Sequence, residues 1–163
     1  LGIIGGGQLA LMLAEAATNR GIKVCVQTKS SNDPASLKAD HIIVADPLKV
    51  KGNKDLIKEC EKIIFENEWI QIEKLNLIDS KNIFVPSLES IQPLVDRISQ
   101  KKLIERMNLP SPEWISINEF KSLDDEKIKE WNFPLMVKSF KGGYDGKGNK
   151  KINNKDDLNS FFG

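Results

Sequence analysis

Short apolar runs alternate with amphipathic segments along the first half of the chain. Five of these runs are rich in Ile and Val, which favours strands. They are LGIIG, IKVCVQT, HIIVAD, IIFENE and NIFVPS. Three segments that separate these runs have apolar residues at helical spacing: QLALMLAEAATNRG, NKDLIKECEK and QIEKLNLI. Strands that alternate with helices are typical of a parallel sheet covered on both faces. The pattern therefore predicts an α/β fold with a doubly wound parallel sheet.

The pattern changes after Pro86. A helix with an interruption at Pro93 is predicted for SLESIQPLVDRISQKKLIERMNLP. Strands are predicted for PEWISI, PLMVKSF and NKKIN. The segments KSLDDEKIKEW and KDDLNSFF are predicted to be helices. The last two strands flank one glycine-rich loop, which predicts an antiparallel hairpin. We place a boundary between residues 86 and 93, which assigns residues 1–90 to the first domain and residues 91–163 to an α+β domain.

The composition narrows the class of protein. The chain has 163 residues, a formal net charge of +1, 40% hydrophobic residues and 29% charged residues, as in soluble globular proteins. A charge near zero gives no reason to expect a nucleic-acid partner. No apolar run approaches the roughly 20 residues that span a bilayer, so no membrane partner is expected. There is no initiating Met, and Phe161 and Phe162 have no later element to cover them, so we expect a fragment.

The chain contains few soft metal ligands. Its only Cys and His residues are Cys25, Cys60 and His41, which are too few by themselves for an ordinary four-ligand zinc site. Each cysteine lies in an apolar pattern, as expected for a core thiol in a reducing cytoplasm. The sequence therefore predicts no metal site in this chain.

The first glycine stretch, IIGGGQLA, lies between a predicted strand and a predicted helix. Its small residues Gly5, Gly7 and Ala10 have the spacing of a dinucleotide fingerprint, in which a backbone turn approaches a phosphate at a helix N-terminus. That fingerprint also needs an acid at the end of the second strand, where this chain has Gln27. NAD(P) binding is therefore disfavoured. Two interpretations stay open: a tight turn without a ligand, and a site for an anion or a substrate phosphate with Gln8 as a polar contact.

The second glycine stretch, KSFKGGYDGKGNKK, joins two predicted strands. Its glycine spacing differs from that of a Walker P-loop, which also runs from a strand into a helix. A glycine-rich hairpin can instead close over phosphates as a flap, and Lys138 can reach a phosphate as a point charge. The alternative is a mobile surface hairpin. Asp145 would repel a phosphate, so together with Tyr144 it favours a second role, contact with an amine substrate or a metal, although Asp is also an ordinary turn residue.

Four segments resemble the N5-carboxyaminoimidazole ribonucleotide synthetase family of ATP-grasp enzymes. They are IIGGGQLALM at residues 3–12, IIFENE at 63–68, PLVDRISQKKLIERMNLPSPEW at 93–114 and FPLMVKSFKGGYDGKGN at 133–149. The resemblance implies a Rossmann-like pre-ATP-grasp domain followed by the start of an ATP-grasp domain. In that second part, residues 91–110 would be a helical linker and residues 111–163 an incomplete nucleotide-flap subdomain.

The resemblance also implies a reaction and its site. ATP would phosphorylate bicarbonate, and the resulting carboxyphosphate would carboxylate 5-aminoimidazole ribonucleotide to give N5-carboxyaminoimidazole ribonucleotide, ADP and phosphate. The catalytic residues implied are Lys138 and Asp145. The ATP-binding residues implied are Arg97, Lys138, Gly143, Tyr144, Asp145, Gly146, Lys147, Gly148 and Asn149. The substrate-binding residues implied are Gln8, Glu66, Tyr144 and Asp145.

The chain departs from the family pattern in the first turn and at its end. Many members have GQLGRM where this chain has GQLALM, so Ala10 and Leu11 replace the usual residues. The family's Mg²⁺ ligands are expected beyond residue 163, so we expect these residues alone to be inactive. The full-length family protein is expected to be a cytoplasmic homodimer. The alternatives are another ATP-grasp ligase, such as the formate-dependent glycinamide ribonucleotide transformylase, and an inactive remnant or binding module.

Overall fold

The chain divides into two compact units. The computed structural model describes residues 1–79, 82–122, 130–142 and 147–162. The first unit comprises residues 1–95 and the second residues 96–163. Among the helices of the described ranges, none has both the length and the apolar character needed to cross a membrane.

The first unit is built on a four-stranded parallel sheet. Its strands are β1 (Gly2–Ile4), β2 (Cys25–Thr28), β3 (His41–Val44) and β4 (Ile63–Phe65), in the spatial order β3-β2-β1-β4. Ile3 of β1 lies opposite Val26 of β2 on one side and Ile64 of β4 on the other. The predicted parallel sheet is confirmed.

Crossover connections join these strands, because parallel neighbours cannot be joined by a tight hairpin. Helix α1 (Gln8–Thr18) lies between β1 and β2, a 3₁₀ turn at Pro34–Lys38 lies between β2 and β3, and α2 (Val50–Glu59) lies between β3 and β4. Two short helices, α3 (Ile72–Asn76) and α4 (Leu88–Ile91), and a 3₁₀ turn at Gln92–Leu94 follow β4. Successive strand residues point to opposite faces, so Ile3 and Ile4 belong to different halves of the core. The first half includes the alanines of α1, and the second includes Leu56 and Ile57 of α2.

The prediction of a strand at NIFVPS is wrong. This segment pairs with β4 through a single parallel bridge between Ile63 and Phe84, supported by two backbone hydrogen bonds that Ile63 makes to residues 83 and 85. Asn82 has a φ of 49°, which turns the chain just before the bridge. Pro86 has no N–H to donate to a ladder, so pairing cannot continue beyond Val85.

The second unit contains a helical segment and a two-stranded hairpin. Its elements are α5 (Arg97–Arg106), α6 (Ile117–Lys121), β5 (Leu135–Lys138), β6 (Asn149–Ile152) and α7 (Lys155–Phe162). Strands β5 and β6 are antiparallel, as predicted. Phe120, Ile152 and Leu158 form the buried centre of this unit.

One further prediction for this half needs correction. PEWISI is not a strand, because the Ser116 side chain accepts a hydrogen bond from the amide of Glu119, whose carboxylate accepts one from the amide of Ser116, and this capping box starts α6. The predicted helical segment with its interruption at Pro93 is confirmed: it forms α4, a 3₁₀ turn around Pro93 and α5, which Asp96 caps through the amide of Ser99. Most of the predicted helix KSLDDEKIKEW lies outside the described residues.

Candidate functional site

Three consecutive glycines form the turn from β1 into α1. Gly5 has a φ of +124°, a conformation that L side chains rarely adopt. A Cβ atom at Gly5 or Gly7 would overlap the side chain of Glu66, and one at Gly6 would overlap the hydroxyl of Thr28. The glycines are therefore needed because side chains from two neighbouring strands enter the turn.

The carboxylate of Glu66 occupies the N-terminus of α1. The amide of Gly7 donates to its Oε2 atom at 3.1 Å, and the amide of Ala10 donates to its Oε1 atom at 3.4 Å. A negative group is stabilised at this end of a helix by the unpaired N–H groups and the helix dipole. An external anion was one of the two interpretations left open for this turn, and the turn already holds a carboxylate of the protein itself, which presents a fixed acceptor.

The position of this turn in the sheet favours ligand binding. From β1 the sheet continues to β2 and β3 on one side and to β4 on the other, so the strand order reverses between β1 and β4. Open α/β sheets bind ligands at such a switch point, beyond the carboxyl ends of the strands. Glu66 directly follows β4, and Gln8 is exposed at the first residue of α1, so the structure brings these two predicted residues to that point.

The end of β2 is closed by internal hydrogen bonds. Gln27 is fully buried, its Nε2 atom donates to the carbonyl of Asp46 at 3.1 Å, and its Oε1 atom accepts from Asn53 Nδ2 at 3.2 Å. A Cβ at Gly52 would lie 2.7 Å from the Gln27 amide, so this glycine leaves the room that the side chain needs. The polar atoms of Gln27 are therefore occupied by contacts within the protein.

The second glycine stretch forms the connection of the β5–β6 hairpin. Lys138 at the end of β5 lies opposite Asn149 at the start of β6, and the amide of Ser139 donates to the carbonyl of Gly148 at 2.7 Å. Gly148 has a φ of +73°. The side chain of Lys138 is exposed, and Lys147 leads into β6. The predicted residues Gly143, Tyr144, Asp145 and Gly146 lie outside the described residues.

Arg97 is tied to this hairpin. It is the first residue of α5, its backbone amide donates to the carbonyl of Phe140 at 3.2 Å, and its Nε atom donates to the carbonyl of Ser139 at 3.1 Å. The Nε contact uses one of the five N–H donors of the guanidinium. Two predicted ATP contacts from distant parts of the sequence, Arg97 and Lys138, are therefore brought to the same segment.

Two thiols interact with each other at the edge of the first unit's sheet where the strands begin, opposite the edge that holds the glycine turn. Cys25 begins β2, and Cys60 directly follows α2. Their hydrogen bond raises the pKa of Cys25, and burial raises it further. The same hydrogen bond lowers the pKa of Cys60 to about 7. Both cysteines are free and buried, as the sequence predicted for core thiols.

Comparison with known proteins identifies the family. Residues 1–94 match the model of the ribonucleotide synthetase preATP-grasp domain. The chain belongs to this family. Residues 102–163 of this preATP-grasp protein match the model of the ATP-grasp domain. The predicted order, a pre-ATP-grasp domain followed by the start of an ATP-grasp domain, is confirmed.

Curated relatives and solved structures confirm the resemblance found in the sequence. The preATP-grasp chain is 35% identical over 159 residues to the N5-carboxyaminoimidazole ribonucleotide synthase of Synechocystis sp., covering 97% of this chain and 39% of the relative. The crystal structure of N5-carboxyaminoimidazole synthetase from Staphylococcus aureus complexed with ADP is 34% identical, with a TM-score of 0.88 over 99% of this chain and 43% of that one. The Aspergillus clavatus synthase in complex with ADP and 5-aminoimidazole ribonucleotide is 25% identical, with a TM-score of 0.81 over 98% and 42%.

These matches cover the chain almost completely but the relatives only in part. The chain spans 39% of the Synechocystis relative and 43% of the Staphylococcus structure.

Sequence reasoning missed the main role of Glu66 in this structure. It assigned Glu66 to substrate binding and left the glycine turn open between a tight turn without a ligand and a site for an anion or a substrate phosphate. The signal for their contact was present, since Glu66 directly follows an apolar strand and an acid is favoured at a helix N-terminus. However, the two segments are 59 residues apart, and only the pairing of β1 with β4 makes them neighbours.

Proposed function

We propose that the chain forms the preATP-grasp domain and the first part of the ATP-grasp domain of an ATP-dependent carboxylating ligase. Its reaction would combine 5-aminoimidazole ribonucleotide, bicarbonate and ATP to give N5-carboxyaminoimidazole ribonucleotide, ADP and phosphate in purine biosynthesis. The observation that supports this best is the carboxylate of Glu66, held in the glycine turn at the switch point of the sheet. The relatives named above support the choice of substrates.

In the first unit, Glu66 and Gln8 would bind the ribonucleotide. Two backbone amides hold the Glu66 carboxylate, so its orientation is set before a substrate arrives. Such an acceptor suits the hydroxyl and amino donors of a ribonucleotide better than its phosphate, which a carboxylate repels. Gln8 is exposed beside it and can both donate and accept.

In the second unit, Lys138 and Arg97 would bind the phosphates of ATP. An exposed ammonium, a guanidinium and a glycine-rich connection are groups that suit a polyphosphate. When bound, ATP supplies the phosphoryl group that activates bicarbonate. The other flap residues assigned to ATP are Gly143, Tyr144, Asp145, Gly146, Lys147, Gly148 and Asn149, with Tyr144 and Asp145 also meeting the ribonucleotide. In this scheme Lys138 neutralises phosphate charge and Asp145 orients the reacting amine.

Several finer points belong to the same proposal. The reaction would need Mg²⁺, and we assign none of its ligands to the residues that the structure describes. Residues 1–90 would be the pre-ATP-grasp domain, 91–110 a linker and 111–163 the start of the nucleotide-binding part. The full-length protein would be a cytoplasmic homodimer, and residues 1–163 alone would be inactive.

The test uses the full-length gene product that contains these residues. ADP release is measured in bicarbonate and Mg²⁺, with and without 5-aminoimidazole ribonucleotide. We expect release to depend on the ribonucleotide. Release without that dependence would indicate another ATP-grasp ligase, and an inactive full-length protein would favour the remnant or binding-module alternative.

Matched variants then assign the residues. Lys138→Met should raise the KM for ATP by about ten- to hundredfold, the effect of losing one charge-assisted contact, whereas the exposed Lys151→Met on β6 should change it little. Glu66→Gln should raise the KM for the ribonucleotide, whereas the exposed Glu61→Gln should not. Equal effects in a variant and its control would contradict the assignment.

A further inference from the structure

A second group of polar side chains meets at the amino edge of the sheet, where the strands begin. Cys25 is the first residue of β2 and His41 is the first residue of β3, and the parallel register places them opposite each other. Side chains of residues paired in this way project to the same face. Glu59 ends α2, which returns across that face to the same edge.

The ligand atoms of these three residues converge. The Cys25 thiol, a ring nitrogen of His41 and a carboxylate oxygen of Glu59 all lie within 4.8 Å of one another. His41 Nδ1 contacts Glu59 Oε2, and Cys25 Sγ lies 3.7 Å from that same oxygen. A thiol, an imidazole and a carboxylate therefore point to one small volume.

Glu59 places a negative charge at the C-terminal end of α2, where the neighbouring Lys58 pairs with Asp55. The last carbonyls of a helix carry a partial negative charge, which repels a carboxylate at that end. Glu59 is the last residue of α2 and adds its charge to this end of the helix. The pair that it forms with His41 joins two largely exposed groups, 57% and 42% accessible, and pairs of this kind stabilise a protein little. Such a pair alone does not explain why a buried thiol also points at the carboxylate.

We propose that Cys25, His41 and Glu59 form a binding site for a divalent transition metal of the zinc type, with water in the fourth position. One sulfur, one nitrogen and one oxygen ligand suit Zn²⁺, which accepts all three in tetrahedral geometry. Tetrahedral ligands of zinc lie about 3.5 Å apart, given metal–ligand distances of roughly 2.0–2.3 Å. Cys25 Sγ and Glu59 Oε2 are near that spacing at 3.7 Å, and the exposed side chains of His41 and Glu59 can adjust the other separations by rotation.

The proposed metal has a structural role. The site lies at the starts of the strands, whereas Gly5, Gly7 and Glu66 lie beyond their carboxyl ends. A metal there would join the end of α2 to the edges of β2 and β3. It would therefore stabilise the first unit without taking part in the proposed reaction.

The test is a cobalt titration of the full-length protein, purified without a histidine tag, reduced and stripped of metal. Co²⁺ bound by a thiolate in four-coordinate geometry gives a charge-transfer band and intense visible bands. We expect both in the wild type, with loss of both on addition of Zn²⁺. His41→Ala and Glu59→Gln should each weaken Co²⁺ binding by at least about tenfold, because even outer-sphere partners of a metal contribute that much.

The control variant is Glu61→Gln, which removes an exposed carboxylate close in sequence to Glu59 and outside the cluster. It should bind Co²⁺ like the wild type. Zn²⁺ should raise the melting temperature of the wild type but leave that of Glu59→Gln unchanged. The proposal is overturned if the wild type gives no charge-transfer band with excess Co²⁺. It is equally overturned if the band survives in both His41→Ala and Glu59→Gln, two changes at exposed positions that should leave the fold intact.

Discussion

Replacing Gly7 by Ala tests the claim that the glycine turn exists to admit Glu66. The backbone at Gly7 has φ −78° and ψ −160°, which alanine adopts without strain. The new methyl would overlap Oε1 of Glu66 and lie 3.3 Å from its Cδ atom. The carboxylate is the free end of a flexible side chain, so we expect it to move away and the backbone to stay in place.

The expected loss of stability follows from the hydrogen bonds that the displaced carboxylate leaves. The amides of Gly7 and Ala10 would lose their acceptor, and leaving a buried donor unpaired costs about 1–3 kcal/mol. Water can reach part of this turn, since Gly7 is only half-buried, so we expect the free energy of unfolding to fall by about 2 kcal/mol. Glu66→Ala removes the same acceptor and should have a similar effect.

The double variant distinguishes this explanation from a general defect. Once Glu66 is alanine, the methyl at position 7 has no carboxylate to displace. Two small terms then remain: the preference for Gly over Ala at a helix N-cap, and the reduced entropy of the unfolded chain, worth about 0.4–1 kcal/mol in the opposite direction. These nearly cancel, so the double variant should be about as stable as Glu66→Ala alone, which gives a coupling energy of about 2 kcal/mol.

Urea unfolding followed by far-UV circular dichroism, with linear extrapolation to water, measures all four proteins of this cycle. Gly21→Ala is the matched control. Gly21 has a φ of +70°, and a Cβ atom there would meet nothing within 4 Å, so alanine should cost about 1–2 kcal/mol of backbone strain in both backgrounds. Additive effects of Gly7→Ala and Glu66→Ala would refute the reasoning, because they would show that the methyl and the carboxylate do not compete for one space.

Two other predictions concern internal contacts. Gln27→Leu should lower the free energy of unfolding by about 1–3 kcal/mol, because one N–H of the buried Asn53 amide loses its acceptor, while the other still donates to the carbonyl of Pro47. Urea unfolding measures this loss, and a value below about 0.5 kcal/mol would contradict the prediction. The pKa of Glu119 is lowered by hydrogen bonds from the Ser116 side chain and backbone. The contribution of Glu119 to α6 is therefore present above the ordinary carboxyl pKa and is lost as the pH falls through the lowered one. Ser116→Ala should return the pKa of Glu119 towards its ordinary value in an NMR titration, and an unchanged pKa would exclude the capping contact as its cause.

Local patterns were sufficient to predict the elements that depend on near neighbours. The alternation of apolar runs with amphipathic segments predicted β1 to β4 and the helices between them, because periodicity and capping act over a few residues. The hairpin was predicted for the same reason, since its strands flank one glycine-rich loop. Prediction failed where a proline or a helix-capping residue interrupted an apolar run. Pro86 limited one expected strand to a single bridge, and the capping box at Ser116 replaced another with the start of a helix.

The candidate site could be predicted only as separate residues. Gln8 and Lys138 were indicated by the two glycine stretches, and Glu66 and Arg97 by resemblance. No local pattern indicated that Glu66 fills the glycine turn or that Arg97 donates a hydrogen bond to the carbonyl of Ser139. In the same way, Cys25 and His41 were known from the sequence, yet the contribution of Glu59 was not, because it lies 34 residues from one and 18 from the other.

What the sequence determined by itself is therefore the set of strands, helices and turns, together with the membership of the family. What the tertiary structure decided is which residues meet. A parallel sheet joins strands through long crossovers, so its register brings together side chains that no short-range pattern connects. The pairing of β1 with β4 brings Glu66 to the turn after β1, and the pairing of β2 with β3 sets Cys25 beside His41. Both groupings exist only because the chain folds back on itself in that order.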